Sequence, residues 1–270
     1  MSVIDFALLA VFGKVSRYSP PKFFKVTAGM HLATKQLDGL YVINVKAFHE
    51  RRAFMEAQLL KYDMKAEFVL DGDADELTAE IINKYFIGDN LSPNQMSCAL
   101  KHIMTLESIV ANKQQQALVL EDDAIFSPRF NEGLHYALEE SPRFDGPKVI
   151  FIGCGGNFYT PKSLRKPGQH LYVGSRGRFT DSYIIDCNTA QKRLDWITRN
   201  KVSLPIDNQF EKIDRELGIS MLWLEEPVVE QGSKAGLFMS AVEKAPPVWL
   251  QRLLFNWEKL KRKHIYQLWR

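Results

Sequence analysis

Short apolar segments of strand type alternate along this chain with longer segments in which apolar residues recur at helical spacing. The first strand-type segment, 39–45, is followed by the helical pattern of 48–62. The segments 66–70 and 117–120 repeat the strand pattern, and 94–111 repeats the helical one. Such an alternation places parallel strands in one sheet with helices packed against it. We therefore predict an α/β domain with a mostly parallel central sheet.

The alternation continues through the second half of the chain. We predict strands at 148–152 and 182–185 and helices near 130–140, 189–198 and 208–217. Residues 157–180 combine Pro, Gly, Ser and six basic residues, counting one histidine, with little periodicity, so we interpret them as a long functional loop. The alternative is a solvated surface excursion.

Three acidic residues, Glu121, Asp122 and Asp123, directly follow the apolar strand segment 117–120. Sheets of this class bind ligands outside the carboxyl ends of their strands. Adjacent carboxylates repel one another unless a cation or hydrogen-bond donors neutralise them. Oxygen ligands in this number suit Mg²⁺ or Mn²⁺, bridged to nucleotide phosphates. The alternative is a surface turn with three solvated acids.

The net charge of +3 is unevenly distributed over the 270 residues. Residues 1–37 hold five basic residues and one acidic residue, and 247–270 hold six and one, so 38–246 carries a net charge of −6. We divide the chain accordingly into a basic N-terminal extension, a catalytic domain and a basic C-terminal segment. Because the folded body is acidic, we expect no nucleic-acid partner.

Cysteine use and the chain start both favour a cytoplasmic protein. Cys98, Cys154 and Cys187 are odd in number and lack C-x-x-C spacing, which argues against a disulfide framework and against a structural zinc site. The apolar run 6–12 is far shorter than the ~20 residues that span a bilayer, and no signal-peptide pattern surrounds it. We therefore expect neither secretion nor a transmembrane anchor.

Six motifs in order resemble glycosyltransferase family 25, the bacterial lipopolysaccharide and lipooligosaccharide glycosyltransferases, over about residues 39–240. The motifs are V-I-N-V at 42–45 with Arg51 and Arg52, S-C-A-L-K-H at 97–102, L-E-D-D-A at 120–124, T-D-S-Y at 180–183, P-I-D at 205–207 and P-V-V-E-Q at 227–231. The chain departs from the family pattern at His49–Glu50, Ser97, Lys101 and Ser182. These departures concern the donor sugar and its pocket.

The resemblance implies a GT-A-like fold and transfer of a hexose, galactose or glucose, from a UDP-sugar to a lipid-linked oligosaccharide with inversion at the anomeric carbon. The acidic motif then corresponds to the family's metal-binding motif, so Glu121 and Asp123 would hold Mn²⁺ or Mg²⁺ against the UDP diphosphate. Asp122 would bind the ribose or the water molecules on the metal.

An inverting transfer also needs a base for the proton of the acceptor hydroxyl. The candidates are Asp207, Asp181 and Glu230, and we favour Asp207 because it lies in a matched motif after a proline. The alternative for Asp207 is an N-cap of the helix that follows.

The candidates for binding the nucleotide are Asn44, Arg51 and Asp71, at strand ends in the first half of the sheet, with Ser97 and His102 of the helical motif. For Arg51 and Arg52 the alternative, which we expect to hold for at least one of them, is a solvated helix face. For His102 it is a packed, hydrogen-bonded histidine.

The C-terminal segment 247–270 combines an apolar helical stripe with basic residues and three of the five tryptophans. This pattern predicts an amphipathic helix in the interface of an anionic membrane. The alternative is a helix that packs on its own domain or on a second subunit in a homodimer. With a lipid-linked acceptor, the membrane interpretation predicts a cytoplasmic enzyme attached peripherally to the inner membrane.

Two functions of other classes remain open from the sequence. The acidic triad would also serve a metal-dependent nucleotidyl- or phosphotransferase. The chain could instead be a non-catalytic, membrane-associated module that retains the fold.

Overall fold

A seven-stranded sheet with helices against both faces forms the centre of the molecule. The computed structural model describes residues 34–233 and, nearer the C terminus, 256–257 and 260–265. The strands of this part are β1 (Gly39–Ile43), β2 (Glu67–Val69), β3 (Ala117–Glu121), β4 (Ala124–Phe126), β5 (Lys148–Phe151), β6 (Leu171–Val173), β7 (Ser182–Ile185), β8 (Ser220–Leu224) and β9 (Val229–Gln231). The α-helices are α1 (His49–Lys61), α2 (Ala79–Tyr85), α3 (Pro93–Ala111), α4 (Phe130–Glu140), α5 (Cys187–Asn200) and α6 (Ile206–Leu217).

The strand order β2-β1-β3-β7-β5-β8-β6 confirms the predicted α/β class. From the pairings, β1, β2, β3, β5 and β8 run in one direction, and β7 and β6 run against them. The sheet is therefore mixed, with most strands parallel. A separate antiparallel pair, β4 with β9, extends from the end of β3 and was not predicted.

Alternating side chains of the strands divide the core into two layers. On one face, Val119 of β3 and Tyr183 of β7 pack with α3, α5 and α6. On the other face, Leu118 and Leu120 of β3 pack with α1 and α4. Because both faces are covered, the central strands are continuous apolar runs, as the sequence pattern indicates.

Helix α3 begins with strong N-terminal signals. Ser92 is its N-cap and forms a capping box with Gln95, and Pro93 occupies the first turn. These signals fix the start of α3 beside the site. Its first half carries the motif S-C-A-L-K-H, and the helix packs against α5.

The structure corrects the interpretation of 157–180 as one long loop. Leu171–Val173 is strand β6, which pairs antiparallel with β8 at the sheet edge. Arg178 and Thr180 are buried. The strand is short and lies in a polar context, so its period-two pattern is too brief to be recognised from sequence.

Most of the two basic ends lies outside the described residues. Of the N-terminal extension, only the end is described, with a 3-10 turn at Thr34–Gln36. Of the predicted C-terminal helix, the described residues include a π-helical turn at Lys261–Ile265. Within the described ranges, no helix has both the length and the apolar character needed to cross a bilayer.

Candidate functional site

The predicted site residues meet at one edge of the sheet. Strands β1, β2, β3 and β5 end at this edge, and β7 begins there because it runs antiparallel to them. The strand directions thus bring Asn44, Glu121 and Asp181 together from distant parts of the sequence. The first half of α3 lies at the same edge, since Lys101 donates to the carbonyl of Asn44 and His102 contacts Tyr183.

Asp122 is held by two side chains from the first β-α unit. Asn44 Nδ2 donates to its Oδ2 at 2.8 Å, and Arg51 Nη1 donates to its Oδ1 at 2.8 Å. Burial raises the pKa of Asp122, and the contacts with Arg51 and Asn44 offset only part of that effect. Arg51 therefore lies at the candidate site, paired with Asp122, whereas Arg52, which pairs with Glu56, lies on the solvated helix face.

Asp123 is a buried carboxylate with one oxygen still available. Its Oδ2 accepts from the backbone N–H of Ser233 at 2.9 Å, and its Oδ1 has no hydrogen-bond partner among the described residues. Burial and the neighbouring Glu121 raise the pKa of Asp123 to about 6. A carboxylate this deficient in donors is suited to a bound cation.

Asp181, the first residue before β7, is fully buried close to the chain that follows β5. Its Oδ1 accepts from the Ser182 hydroxyl at 2.9 Å, and its Oδ2 has no partner within the described part of the chain. Burial, with Glu121 nearby, raises the pKa of Asp181 well above its usual value. A Cβ at Gly153 would lie 2.4 Å from Asp181 Oδ1, so only glycine permits this close approach.

Glu121 ends β3 and interacts with two elements. The Thr180 hydroxyl donates to its Oε1 at 2.7 Å, and His102 Nε2 lies 3.6 Å from the same oxygen. Burial alone would raise its pKa, but the contacts with His102 and Thr180 and the charge of Arg51 outweigh burial and lower the pKa of Glu121. Glu121 is therefore the carboxylate of this group whose pKa is lowered, whereas the pKa values of Asp122, Asp123 and Asp181 are raised.

The carboxylates fit a hard divalent cation. Asp123 Oδ1 and Asp181 Oδ2 are buried acceptors without donors in the described structure, and Glu121 adds a negative charge beside them. Carboxylate oxygens are the ligands that Mg²⁺ and Mn²⁺ prefer. The predicted ligands Glu121 and Asp123 thus remain the candidates for the cation, whereas the ligand oxygens of Glu121, Asp123 and Asp181 do not all lie within 4.8 Å of one another among the described residues.

His102 and Ser97 are both buried on α3. The ring of His102 stacks on Tyr183, and its Nδ1 lies 3.1 Å from the Tyr183 hydroxyl. This geometry favours the packed, hydrogen-bonded alternative over an open nucleotide contact for His102. Asp71, by contrast, is 79% exposed in its side chain and pairs with Lys46 at 3.0 Å, outside the buried carboxylate group.

The candidate bases lie in different places. Asp207 lies in the first turn of α6, whose N-cap is Pro205, so the N-cap alternative for Asp207 is wrong. Asp207 lines a cleft together with Thr180, the residue that donates to Glu121. Glu230 of β9 lines a separate groove with Tyr159.

Two buried cations near this edge were missed as site residues. The Lys101 ammonium donates to the carbonyls of Asn44 at 2.8 Å and Leu70 at 2.6 Å, and it pairs with Asp73 at 2.8 Å. Arg178 Nη1 donates to the carbonyl of Gly153, after β5, and to that of Leu224, the last residue of β8. Burial lowers the pKa of Arg178 to about 10. A lysine within an apolar helical stripe is a signal that could have identified Lys101, but nothing in the sequence marks Arg178.

Comparison with known proteins gives a consistent family match. The model of the family described as "Glycosyltransferase family 25 (LPS biosynthesis protein)" matches residues 38–152. A "Glycosyltransferase 25 family member" of Aedes aegypti is 27% identical over 186 residues, which are 62% of this chain and 29% of that protein. A protein of the same description from Anopheles gambiae is 26% identical over 182 residues, 63% of this chain and 31% of that protein. The matched part of the chain thus spans less than a third of these relatives, and the predicted resemblance to the family is confirmed.

Two solved structures show a distant likeness to this chain. The inositol-1-phosphate CTP transferase from T. maritima aligns with a TM-score of 0.39 and 12% identity, covering 84% of this chain and 97% of that one. Mouse xyloside xylosyltransferase 1, in its apo form, aligns with a TM-score of 0.34 and 13% identity, covering 66% and 81%. At TM-scores this low, neither match supports an argument about fold or function.

Proposed function

We propose that the chain is an inverting glycosyltransferase, because the model of glycosyltransferase family 25 matches residues 38–152. In this proposal it moves a hexose, galactose or glucose, from a UDP-sugar to a lipopolysaccharide or lipooligosaccharide acceptor. The donor would bind at the carboxyl edge of β1 and β3, where the family-matched residues Asn44, Arg51 and Glu121–Asp123 meet.

The observation that carries the proposal is the group of buried carboxylates without matching donors. Asp123 Oδ1 and Asp181 Oδ2 have no hydrogen-bond partner among the described residues, and Glu121 is held ionised beside them. Glu121 and Asp123 would hold Mn²⁺ or Mg²⁺, which neutralises the charge that develops on a departing diphosphate. A site that only stabilised the fold would pair these oxygens with donors.

Asn44 and Arg51 would bind and orient the nucleotide, and Asp122 would hold these two side chains in position. Both oxygens of Asp122 already accept from these two side chains, so its role is to hold them rather than to bind the metal. Asn44 Oδ1 is buried without a partner in the described structure and is an acceptor suited to a hydroxyl or N–H of the nucleoside.

Asp207 is the base that the cleft geometry favours. Asp181 is fully buried and leaves no room for an acceptor hydroxyl, and Glu230 faces a different groove. In the transfer, the acceptor oxygen bonds to the anomeric carbon, the bond from that carbon to the phosphate oxygen breaks, and the acceptor proton passes to the Asp207 carboxylate. UDP leaves on the face opposite to the attack.

The basic ends would attach the enzyme to the cytoplasmic face of the inner membrane, where a lipid-linked acceptor lies. Acidic residues are in excess in the central part of the chain, whereas basic residues are in excess in 1–37 and 247–270. Anionic lipid attracts such basic segments by ~1 kcal/mol per basic residue near the surface.

The test is a donor screen with Mn²⁺, in which binding and slow hydrolysis of UDP-sugars are measured by calorimetry and UDP release. At least one UDP-hexose should bind and release UDP, and Asp123→Ala should abolish metal-dependent UDP binding. Asp207→Asn should retain UDP binding but lower transfer by roughly 10²- to 10⁴-fold. Asp75→Ala, at an exposed position outside the carboxylate group, is the matched control. No response to any UDP-sugar or to UDP would contradict the proposal.

A further inference from the structure

A thiol, an imidazole and a carboxylate from α3 and β3 lie close together beside the buried carboxylate group. Cys98 and His102 are four residues apart on α3 and therefore share one face of the helix. Glu121 ends β3 opposite them. The Cys98 Sγ, a ring nitrogen of His102 and a carboxylate oxygen of Glu121 all lie within 4.8 Å of one another.

The histidine of this cluster has one satisfied and one unsatisfied nitrogen. His102 is fully buried, and its Nδ1 lies 3.1 Å from the Tyr183 hydroxyl. Its Nε2 has no hydrogen-bond partner among the described residues and lies 3.6 Å from Glu121 Oε1. In the metal-free protein Nε2–H points toward Glu121; when a metal binds, the proton lies on Nδ1, where the Tyr183 oxygen accepts it, and the Nε2 lone pair is free to bind the metal. Histidines that bind metals have this arrangement, with the second nitrogen held by a neighbouring group.

A thiol, an imidazole and a carboxylate differ chemically from the all-carboxylate group at Asp123 and Asp181. Mn²⁺ and Mg²⁺ prefer oxygen ligands, whereas Zn²⁺ binds sulfur, nitrogen and oxygen together in a tetrahedron. Three protein ligands with a fourth position open to water form a common type of zinc site. We propose that Cys98, His102 and Glu121 form such a site for Zn²⁺ or a similar borderline-soft divalent metal.

The distances are compatible with closure on a metal ion. Ligand atoms on tetrahedral zinc lie roughly 3.5 Å apart, so side-chain rotation that moves the atoms by about 1 Å completes the site. Binding releases the Cys98 proton to solvent, because the thiolate is the ligand. The site is distinct from the closed, structural zinc sites that the cysteine spacing argues against, since one coordination position stays open.

Glu121 belongs to both ligand groups, so a soft metal at Cys98 would compete with the hard cation of the proposed function. This consequence rests on the proposed glycosyltransferase activity. The metal site itself does not rest on that activity, and its test therefore uses the 270-residue chain without nucleotide.

The experiment is a titration of the metal-free protein with Co²⁺, a spectroscopic substitute for Zn²⁺. We expect a thiolate-to-cobalt charge-transfer band in the near ultraviolet that one equivalent of Zn²⁺ abolishes. Cys98→Ser should lose the band, and His102→Gln should weaken it or shift it. Tyr183→Phe, which removes the group that orients His102, should lower Zn²⁺ affinity roughly 10- to 100-fold.

Cys187→Ser is the matched control, because the Cys187 thiol accepts from Gln115 outside the cluster. It should keep the band, and so should Asp123→Ala, which separates this site from the proposed Mn²⁺ site. Zn²⁺ should also protect one thiol from a thiol reagent in the wild type but not in His102→Gln. A folded wild-type protein without the band, or a band that persists in Cys98→Ser, would overturn the proposal.

Discussion

The buried carboxylates at the carboxyl edge of the sheet differ in how many hydrogen-bond donors they accept from. Asp122 accepts from two side chains of other elements, the Asp123 carboxylate is contacted by Ser233 alone among the described residues, and Asp181 accepts from the adjacent Ser182 hydroxyl. The three residues belong to motifs that were recognised from the sequence, yet the sequence offers no means of ranking their environments. The ranking depends on which side chains of distant elements reach each oxygen. That is why Asp122, adjacent in sequence to Asp123, has a positioning role in our proposal instead of a metal-binding one.

Replacing Asp123 by Asn should change how the stability of the metal-free protein depends on pH. Burial and Glu121 raise the pKa of Asp123 from 3.8 to about 6 in the folded state. The folded protein then holds this proton more tightly than the unfolded chain, so the contribution of Asp123 to stability is full below pH 3.8 and is lost as the pH rises through about 6. The loss is on the order of 3 kcal/mol.

We expect Asp123→Asn to be more stable than the wild type above about pH 6 and similar to it at pH 3.8. Urea unfolding at a series of pH values, with EDTA present, measures the difference. Asp75→Asn, at an exposed position, should follow the wild-type curve. Parallel pH profiles for Asp123→Asn and the wild type would contradict the assigned burial of this charge.

At the scale of elements, a single buried lysine joins α3 to the ends of two strands. Lys101 binds carbonyl groups of residues that follow β1 and β2 and pairs with Asp73. The sequence comparison identifies Lys101 only as a departure from the family's serine. In the structure, the longer side chain reaches across to the sheet edge that carries Asn44. The lysine at position 101 therefore fixes the end of β1 next to Asn44, where the nucleotide is proposed to bind.

Lys101→Met should destabilise the protein by about 3–5 kcal/mol, because it leaves Asp73 and several carbonyl groups buried without their cation. Chemical denaturation measures this loss. Arg52→Met is the control: it breaks the solvent-exposed pair with Glu56 and should cost less than about 1 kcal/mol. Similar losses for the two variants would show that Lys101 does not act as a buried link between α3 and the sheet.

Several element predictions were confirmed, and the failures have identifiable causes. Strands β1, β3 and β7 and helices α3 and α4 agree with the predicted segments within a few residues, because each has a clear apolar period. Strands β4, β6 and β9 have three residues each and were not recognised, whereas β2, equally short, was predicted because it lies within the longer apolar run 66–70. β8 was also missed, although it is an apolar run of five residues.

At the scale of the whole molecule, the uneven charge suggests a preferred surface. The central part carries more acidic than basic residues, and the two ends carry an excess of basic ones. The basic ends lie largely outside the described residues, so their membrane role remains a proposal from the sequence.

Deleting residues 247–270 should weaken binding to anionic vesicles by about tenfold or more, since it removes six basic residues. Flotation with vesicles that contain phosphatidylglycerol measures this effect, and added salt should reduce wild-type binding. Vesicles of phosphatidylcholine alone are the control for charge. Unchanged, salt-insensitive flotation of the truncated protein would contradict the proposed membrane attachment.

The sequence by itself determined the α/β class, the family resemblance and the residue types at the site, because strand and helix periods and short motifs are local properties. Only the tertiary structure decided which charges are neutralised. Arg51 reaches Asp122 over 71 positions and Lys101 pairs with Asp73, whereas Asp123 Oδ1 and Asp181 Oδ2 keep no partner within the described residues. It also brought Cys98 and His102 next to Glu121. The physical reason is that desolvation and charge pairing depend on distances between residues that lie far apart in the chain, and no local pattern encodes those distances.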